Sequence, residues 1–135
     1  MNGTENIVIK KPYVPVVTTA ECRRVFLEEI LYIESTYRKV EIRTLKGRYS
    51  FYDKIENLEK YLDDRFFHCL KHLIVNFDMV VCMKAGEVHL YGGDVLLIGQ
   101  HNFVKAKQKY AYYIRRPQPG AAKVAESTKT FNAQP

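Results

Sequence analysis

Tryptophan is missing from this chain of 135 residues, and cysteine, glycine and proline are sparse, at three, seven and five. Cys22, Cys69 and Cys82 are odd in number and widely spaced, with no C-x-x-C pair. That pattern argues against a disulfide framework and against a zinc finger. The thiols are expected to be reduced, in a cytoplasmic protein. The glycines form neither a P-loop nor a G-x-G-x-x-G turn, and no serine sits in a nucleophile elbow, so those catalytic frameworks have no anchor. No apolar run approaches the length of a membrane span, and MNGTENIVIKK lacks the apolar core of a signal peptide. Acid is in the minority: 15 Asp and Glu stand against 21 Lys and Arg, a formal charge of +6. Such a balance favours polyanionic partners through counterion release, nucleic acid first and an anionic membrane surface second.

What is present favours strands. Ten Tyr and seven Phe accompany many Val and Ile, the residue types that pack well on a pleated surface. Ile7-Val8-Ile9 is a short β-prone run broken by Pro12, and Val14 to Val17 resumes it at an edge position that tolerates Pro15. RRVFLEEILYIES reads as two short strands meeting at Glu28-Glu29, with a helix from Ala20 to Leu31 as the alternative. Val40, Ile42 and Thr44 alternate with polar neighbours up to Lys46-Gly47, which turns the chain back through Tyr49 and Phe51 as a hairpin. Asp53 and Glu56 make a capping-box signature before a short helix at about 54–62, with Ile55, Leu58, Tyr61 and Leu62 on its apolar face. MVVCMK and EVHLY read as strands joined at Ala85-Gly86, and Gly92-Gly93 leads into a third strand. Phe103, Ala106, Lys107, Tyr110, Tyr113 and Ile114 suggest a terminal amphipathic helix. From Arg115 the sequence is small, polar and proline-bearing, the composition of a disordered tail.

The stretch Arg65 to Met79, RFFHCLKHLIVNFDM, sets polar and basic groups inside a core-seeking frame. Three such interruptions of β-rich sequence recur: Arg38-Lys39 after Tyr37, Lys71-His72, and Gln100-His101-Asn102. Arg and Lys suit phosphates or guanine, and Gln and Asn suit adenine. Solvated turns are the plainer reading of the same segments. His68, Cys69 and His72 superficially resemble metal ligands, but no carboxylate lies at matched spacing. Flanking His and Lys could lower the Cys69 thiol and make it redox-sensitive. No catalytic, cofactor-binding or metal constellation emerges, so an enzyme is not expected.

From about Glu29 to Lys105 the chain resembles a LytTR-type DNA-binding domain, the output module of many bacterial response regulators. Ile30-Leu31-Tyr32-Ile33-Glu34 resembles the family's I-x-Y-I-E opening, and the Val40 to Thr44 strand with Lys46-Gly47 its T-x-x-G hairpin. Ile55 to Glu59 resembles the segment leading to L-D-D-R-F-F. The most specific match is Leu62-Asp63-Asp64-Arg65-Phe66-Phe67 followed by Ile74-Val75-Asn76. The resemblance implies a mainly β fold of about ten short strands in three small antiparallel sheets with a short helix. It also implies double-stranded DNA binding through three loops by Arg38, Lys39, Lys71, His72, Gln100, His101 and Asn102, as a pair on repeated half-sites. On this reading residues 1–28 complete the domain with N-terminal strands, 29–114 form it, and 115–135 are the tail. No space remains for a receiver domain of roughly 100 residues, which implies a stand-alone transcription regulator controlled by abundance, a partner regulatory protein, or Cys69. The contact positions drift from the family pattern: Leu70-Lys71-His72 replaces an H-R-S-type triplet, Gly99-Gln100 an S-R pair, and His68 an Arg. Histidines at three of these places could gain charge in mild acid, near the residue's usual value of about 6.5, and favour phosphate there. Two other readings use the same residues: an interaction module for a partner transcription factor, and a single-strand or RNA binder stacking bases on Tyr37 or the Tyr110–Tyr113 cluster.

Overall fold

The structure, a computed structural model, describes residues 11–117. The expected strand at Ile7–Ile9 and the tail from residue 118 lie outside them.

Two apolar bursts, ILYI and LIV, sit at the centre. Runs of this kind belong to strands covered on both faces. They form β3 (Ile30–Thr36) and β7 (Leu73–Asn76), antiparallel neighbours with Ile33 opposite Ile74. A bulge between Ile30 and Tyr32 lets both Leu31 and Tyr32 be buried, since an extra residue shifts the inside–outside alternation. β4 (Lys39–Thr44), β5 (Gly47–Tyr52) and β6 (Phe66–Leu70) complete a five-stranded sheet in the order β5-β4-β3-β7-β6. One face carries Ile33, Val40, Ile42 and Ile74 into a core with Val14, Val16 and Val25. These last three come from the two-stranded sheet of β1 (Tyr13–Val17) and β2 (Cys22–Phe26). The other face carries Tyr32, Leu73 and Val75 into a second core with Val88, Leu90, Phe103 and Ala106. That core is closed by a three-stranded sheet, β8 (Val80–Lys84), β9 (Glu87–Leu90) and β10 (Val95–Leu97), and by one α-helix, α1 (Gly99–Arg115). Among the described residues there are thus ten strands in three antiparallel sheets with a C-terminal helix.

Two elements differ from expectation in kind. The short helix is a 3-10 segment, Ile55–Tyr61, whose N-cap is Lys54 and carries no side-chain cap bond. Asp53 accepts instead from the Lys54 N–H at 2.7 Å and from Asn57 Nδ2 at 2.8 Å, so the capping box with Glu56 does not form. Burying Ile55 and Leu58 three residues apart is what a 3-10 turn does, since side chains at i and i+3 eclipse. The second difference is that α1 begins at Gly99 and takes Gln100, His101 and Asn102 into its first turn, where the sequence suggests a loop. The region around Glu28-Glu29 is a 3-10 turn between two strands, so the alternative helix from Ala20 to Leu31 is absent.

Asn76 stitches these parts together. Fully buried at the end of β7, it donates from Nδ2 to the Ile30 carbonyl at 2.8 Å and the Leu27 carbonyl at 3.3 Å. Its Oδ1 accepts from the Asp78 N–H at 2.9 Å. One amide thereby partners the Ile30 carbonyl and the Asp78 N–H and adds a second donor to the Leu27 carbonyl, which already accepts from the Ile30 N–H.

Candidate nucleic-acid interface

Strand order places the first two polar segments side by side. Thr36 opposes Lys39, leaving Tyr37-Arg38 as a two-residue turn, and Leu70 opposes Leu73, leaving Lys71-His72 as another. Because β3 and β7 are antiparallel neighbours, the end of one and the start of the other meet at the same end of the sheet. The Ser35 N–H donates to the His72 carbonyl at 3.0 Å and joins the two turns directly.

The first turn is tied to the sheet by one backbone bond and presents its side chains outward. The Asp53 N–H donates to the Arg38 carbonyl at 2.9 Å, anchoring the turn to the end of β5. Tyr37 adopts φ 57°, a left-handed conformation uncommon for a residue with a Cβ, and its side chain is fully exposed. Lys39 Nζ lies 5.5 Å from the Tyr52 ring centroid, within cation–π range.

The third segment is positioned from the opposite side. The Ile98 and Gly99 N–H groups donate to the Gly86 carbonyl at 3.0 and 3.3 Å, pinning the start of α1 to the β8–β9 turn. Gln100 stands against that turn: a Cβ added at Gly86 would lie 3.2 Å from Gln100 Oε1. Asn102 folds back, its Nδ2 donating to the Ile98 carbonyl at 3.2 Å. His101 is exposed and shares with Asn102 and Lys71 an open cleft of about 930 Å³ between β6 and α1. The structure therefore gathers Arg38, Lys39, Lys71 and His72 on adjoining turns, and brings His101 and Asn102 to Lys71 across the cleft. Gln100 is turned away from it.

Charge pairing separates these cations from three arginines elsewhere on the fold. Arg43 reaches Asp94 at 3.1 Å, Arg48 reaches Glu41 at 3.1 Å, and Arg65 reaches Asp63 at 2.9 Å. Among the described residues, Arg38, Lys39 and Lys71 form no ion pair. A cation without an internal carboxylate is available to an external anion. His68 is not: its Nε2 lies 3.3 Å from Glu59.

Cys69 occupies different surroundings from those expected of a reactive thiol. It is the extra residue of a bulge between His68 and Leu70, and its side chain is turned into the core beside Leu73 and Val75. Burial pushes its thiol up to about 12, and the flanking His and Lys do not offset this. Sequence reasoning also passed over Lys105 and Lys109, which line the same cleft. Their recurrence four and eight residues after His101 was the available signal.

The sequence model of the LytTr DNA-binding domain matches residues 20–111. The fold is similar to a solved structure described as the LytTr DNA-binding domain of a methyl-accepting/DNA response regulator from Bacillus cereus. The TM-score is 0.61 at 18% identity, over 75% of this chain and 97% of that one. No curated protein sequence matches.

Proposed function

The chain belongs to the LytTr DNA-binding domain family, and from that membership we propose that it acts as a cytoplasmic, sequence-specific transcription regulator that binds duplex DNA. The turns at Arg38-Lys39 and Lys71-His72, with the first turn of α1, make the contacts. The observation that carries the reading is the set of unpaired cations on two adjoining turns, tied by the Ser35–His72 bond. Arg38, Lys39 and Lys71 engage phosphates or guanine edges and set the register. His101 and His72 add donors that read base edges. Gln100 and Asn102 have further roles: Asn102 steadies the first helical turn, and Gln100 needs a side-chain rotation away from Gly86 to reach a base. Binding as a pair on repeated half-sites is part of the proposal.

Arg38→Ala combined with Lys71→Ala tests it. Both side chains are exposed, so thermal stability should be retained while affinity for a selected duplex is lost. Retained affinity in a folded double variant contradicts the assignment. Retained binding to a partner regulator with no duplex binding in the unaltered protein favours an interaction module.

A further inference from the structure

We propose that the cleft between β6 and α1 is a phosphate-binding track that grips DNA flanking the sequence read by the turns. It rests on the duplex-binding reading and extends it to residues outside the three polar segments. The cleft is walled by β6 on one side and by one face of α1 on the other, and encloses about 930 Å³ of open space. Apart from the Cys69 thiol, its ionisable lining is His68, Lys71, His101, Lys105 and Lys109, with no carboxylate. His68 has Glu59 at 3.3 Å, outside the cleft wall. Lys71, Lys105 and Lys109 form no ion pair among the described residues.

His101, Lys105 and Lys109 recur at i, i+4, so they stand in one row, each about 6 Å further along the helix axis. Like charges at that spacing disfavour a helix, and an interleaved Glu is the usual relief. None is present: the segment GQHNFVKAKQKYAYYIR contains no acidic residue at all. A polyanion laid along the row removes the repulsion. An acidic polypeptide has the same charge, but the row starts beside Lys71, at the turn that carries the proposed DNA contacts. That continuity favours a phosphodiester backbone running on from the read sequence.

The test uses the full chain carrying Lys105→Gln with Lys109→Gln, both exposed positions, and two duplexes, one limited to the selected site and one with flanks of arbitrary sequence. The unaltered protein should bind the longer duplex more tightly and with the steeper salt dependence. In the double variant, the slope of log affinity against log salt on the longer duplex should fall by about 1.8, from two phosphate contacts at about 0.9 each. Preference for the selected over a scrambled site, and affinity for the short duplex, should not change. An unchanged slope on the longer duplex overturns the track and leaves the three-segment reading standing. Absence of any duplex binding by the unaltered protein overturns both. Displacement of the longer duplex by charge-matched polyglutamate as readily as by scrambled duplex overturns the track in favour of an acidic protein partner.

Discussion

Asn76 shows at single-residue scale how much can depend on one amide. Replacing it with Ala removes the side-chain partners of the Ile30 carbonyl and the Asp78 N–H, at a cost of about 1–3 kcal/mol for the lost satisfaction of these groups. The expected result is a lower urea midpoint at unchanged denaturant slope, with duplex affinity of the folded fraction retained. Two protons make the chain sensitive to alkali. Burial raises Cys69 to about 12. Burial, and the hydrogen bond that the Tyr113 hydroxyl donates to Asp78 at 2.8 Å, raise Tyr113 to about 12. In the unfolded chain these groups titrate near about 8.5 and 10. The folded state holds both protons more tightly, so their stabilisation is complete below those values and is lost as pH climbs towards 12. Unfolding midpoints measured from pH 7 to 11 should fall from about pH 9, and Cys69→Ala should flatten the first part of that fall. A flat profile in the unaltered protein would contradict the burial of both groups.

At the scale of elements, α1 is the part whose placement matters most, because its first turn carries His101. An aromatic cluster holds it down. Phe77 lies 5.5 Å from Phe67, and 5.4 Å from both Tyr110 and Tyr113 of the helix. Tyr110 also donates its hydroxyl to the Val80 carbonyl at 2.7 Å. Phe77→Ala should cost about 3–5 kcal/mol and release α1 before the five-stranded sheet unfolds. Hydrogen exchange would then show α1 amides losing protection ahead of β3 and β7. Uniform loss across all elements would mean that the helix is not separately anchored. The hairpins were legible in the sequence because their turn residues and alternation are local. The short helix at about 54–62 was legible from its apolar spacing and forms at Ile55–Tyr61, while its 3-10 geometry was not, because Ile55, Leu58 and Tyr61 recur every three residues within a pattern that also suits an α-helix. The start of α1 was hidden for another reason. A polar triplet after a strand looks like a loop until the Gly86 carbonyl, 12 residues before Ile98, is seen to accept the first N–H groups.

For the whole molecule, the question is how segments far apart in sequence become one surface. The pairing of β3 with β7 joins residues about 40 positions apart, and no local periodicity encodes it. Composition and spacing alone left the convergence of Arg38, Lys71 and His101 open. The ordered landmarks of the resemblance supplied the fold, and the register then put the two turns together. What stayed illegible was charge pairing, since nothing local distinguishes Arg48, matched to Glu41, from the unpaired Arg38. That difference yields a prediction. Arg48→Ala should leave duplex affinity unchanged, whereas Lys71→Ala should lower it and reduce the salt slope by about 1. Equal effects from the two would show that only net charge, +6 over the chain, is being read.

Selection of bound duplexes from a random pool, with salt titration of the recovered sequence, bears most directly on the central claim. The account predicts a recovered repeat bound more than about a hundredfold above scrambled DNA, with affinity falling steeply as salt rises. Salt-dependent binding with no recovered motif, or no duplex binding at all, would contradict it.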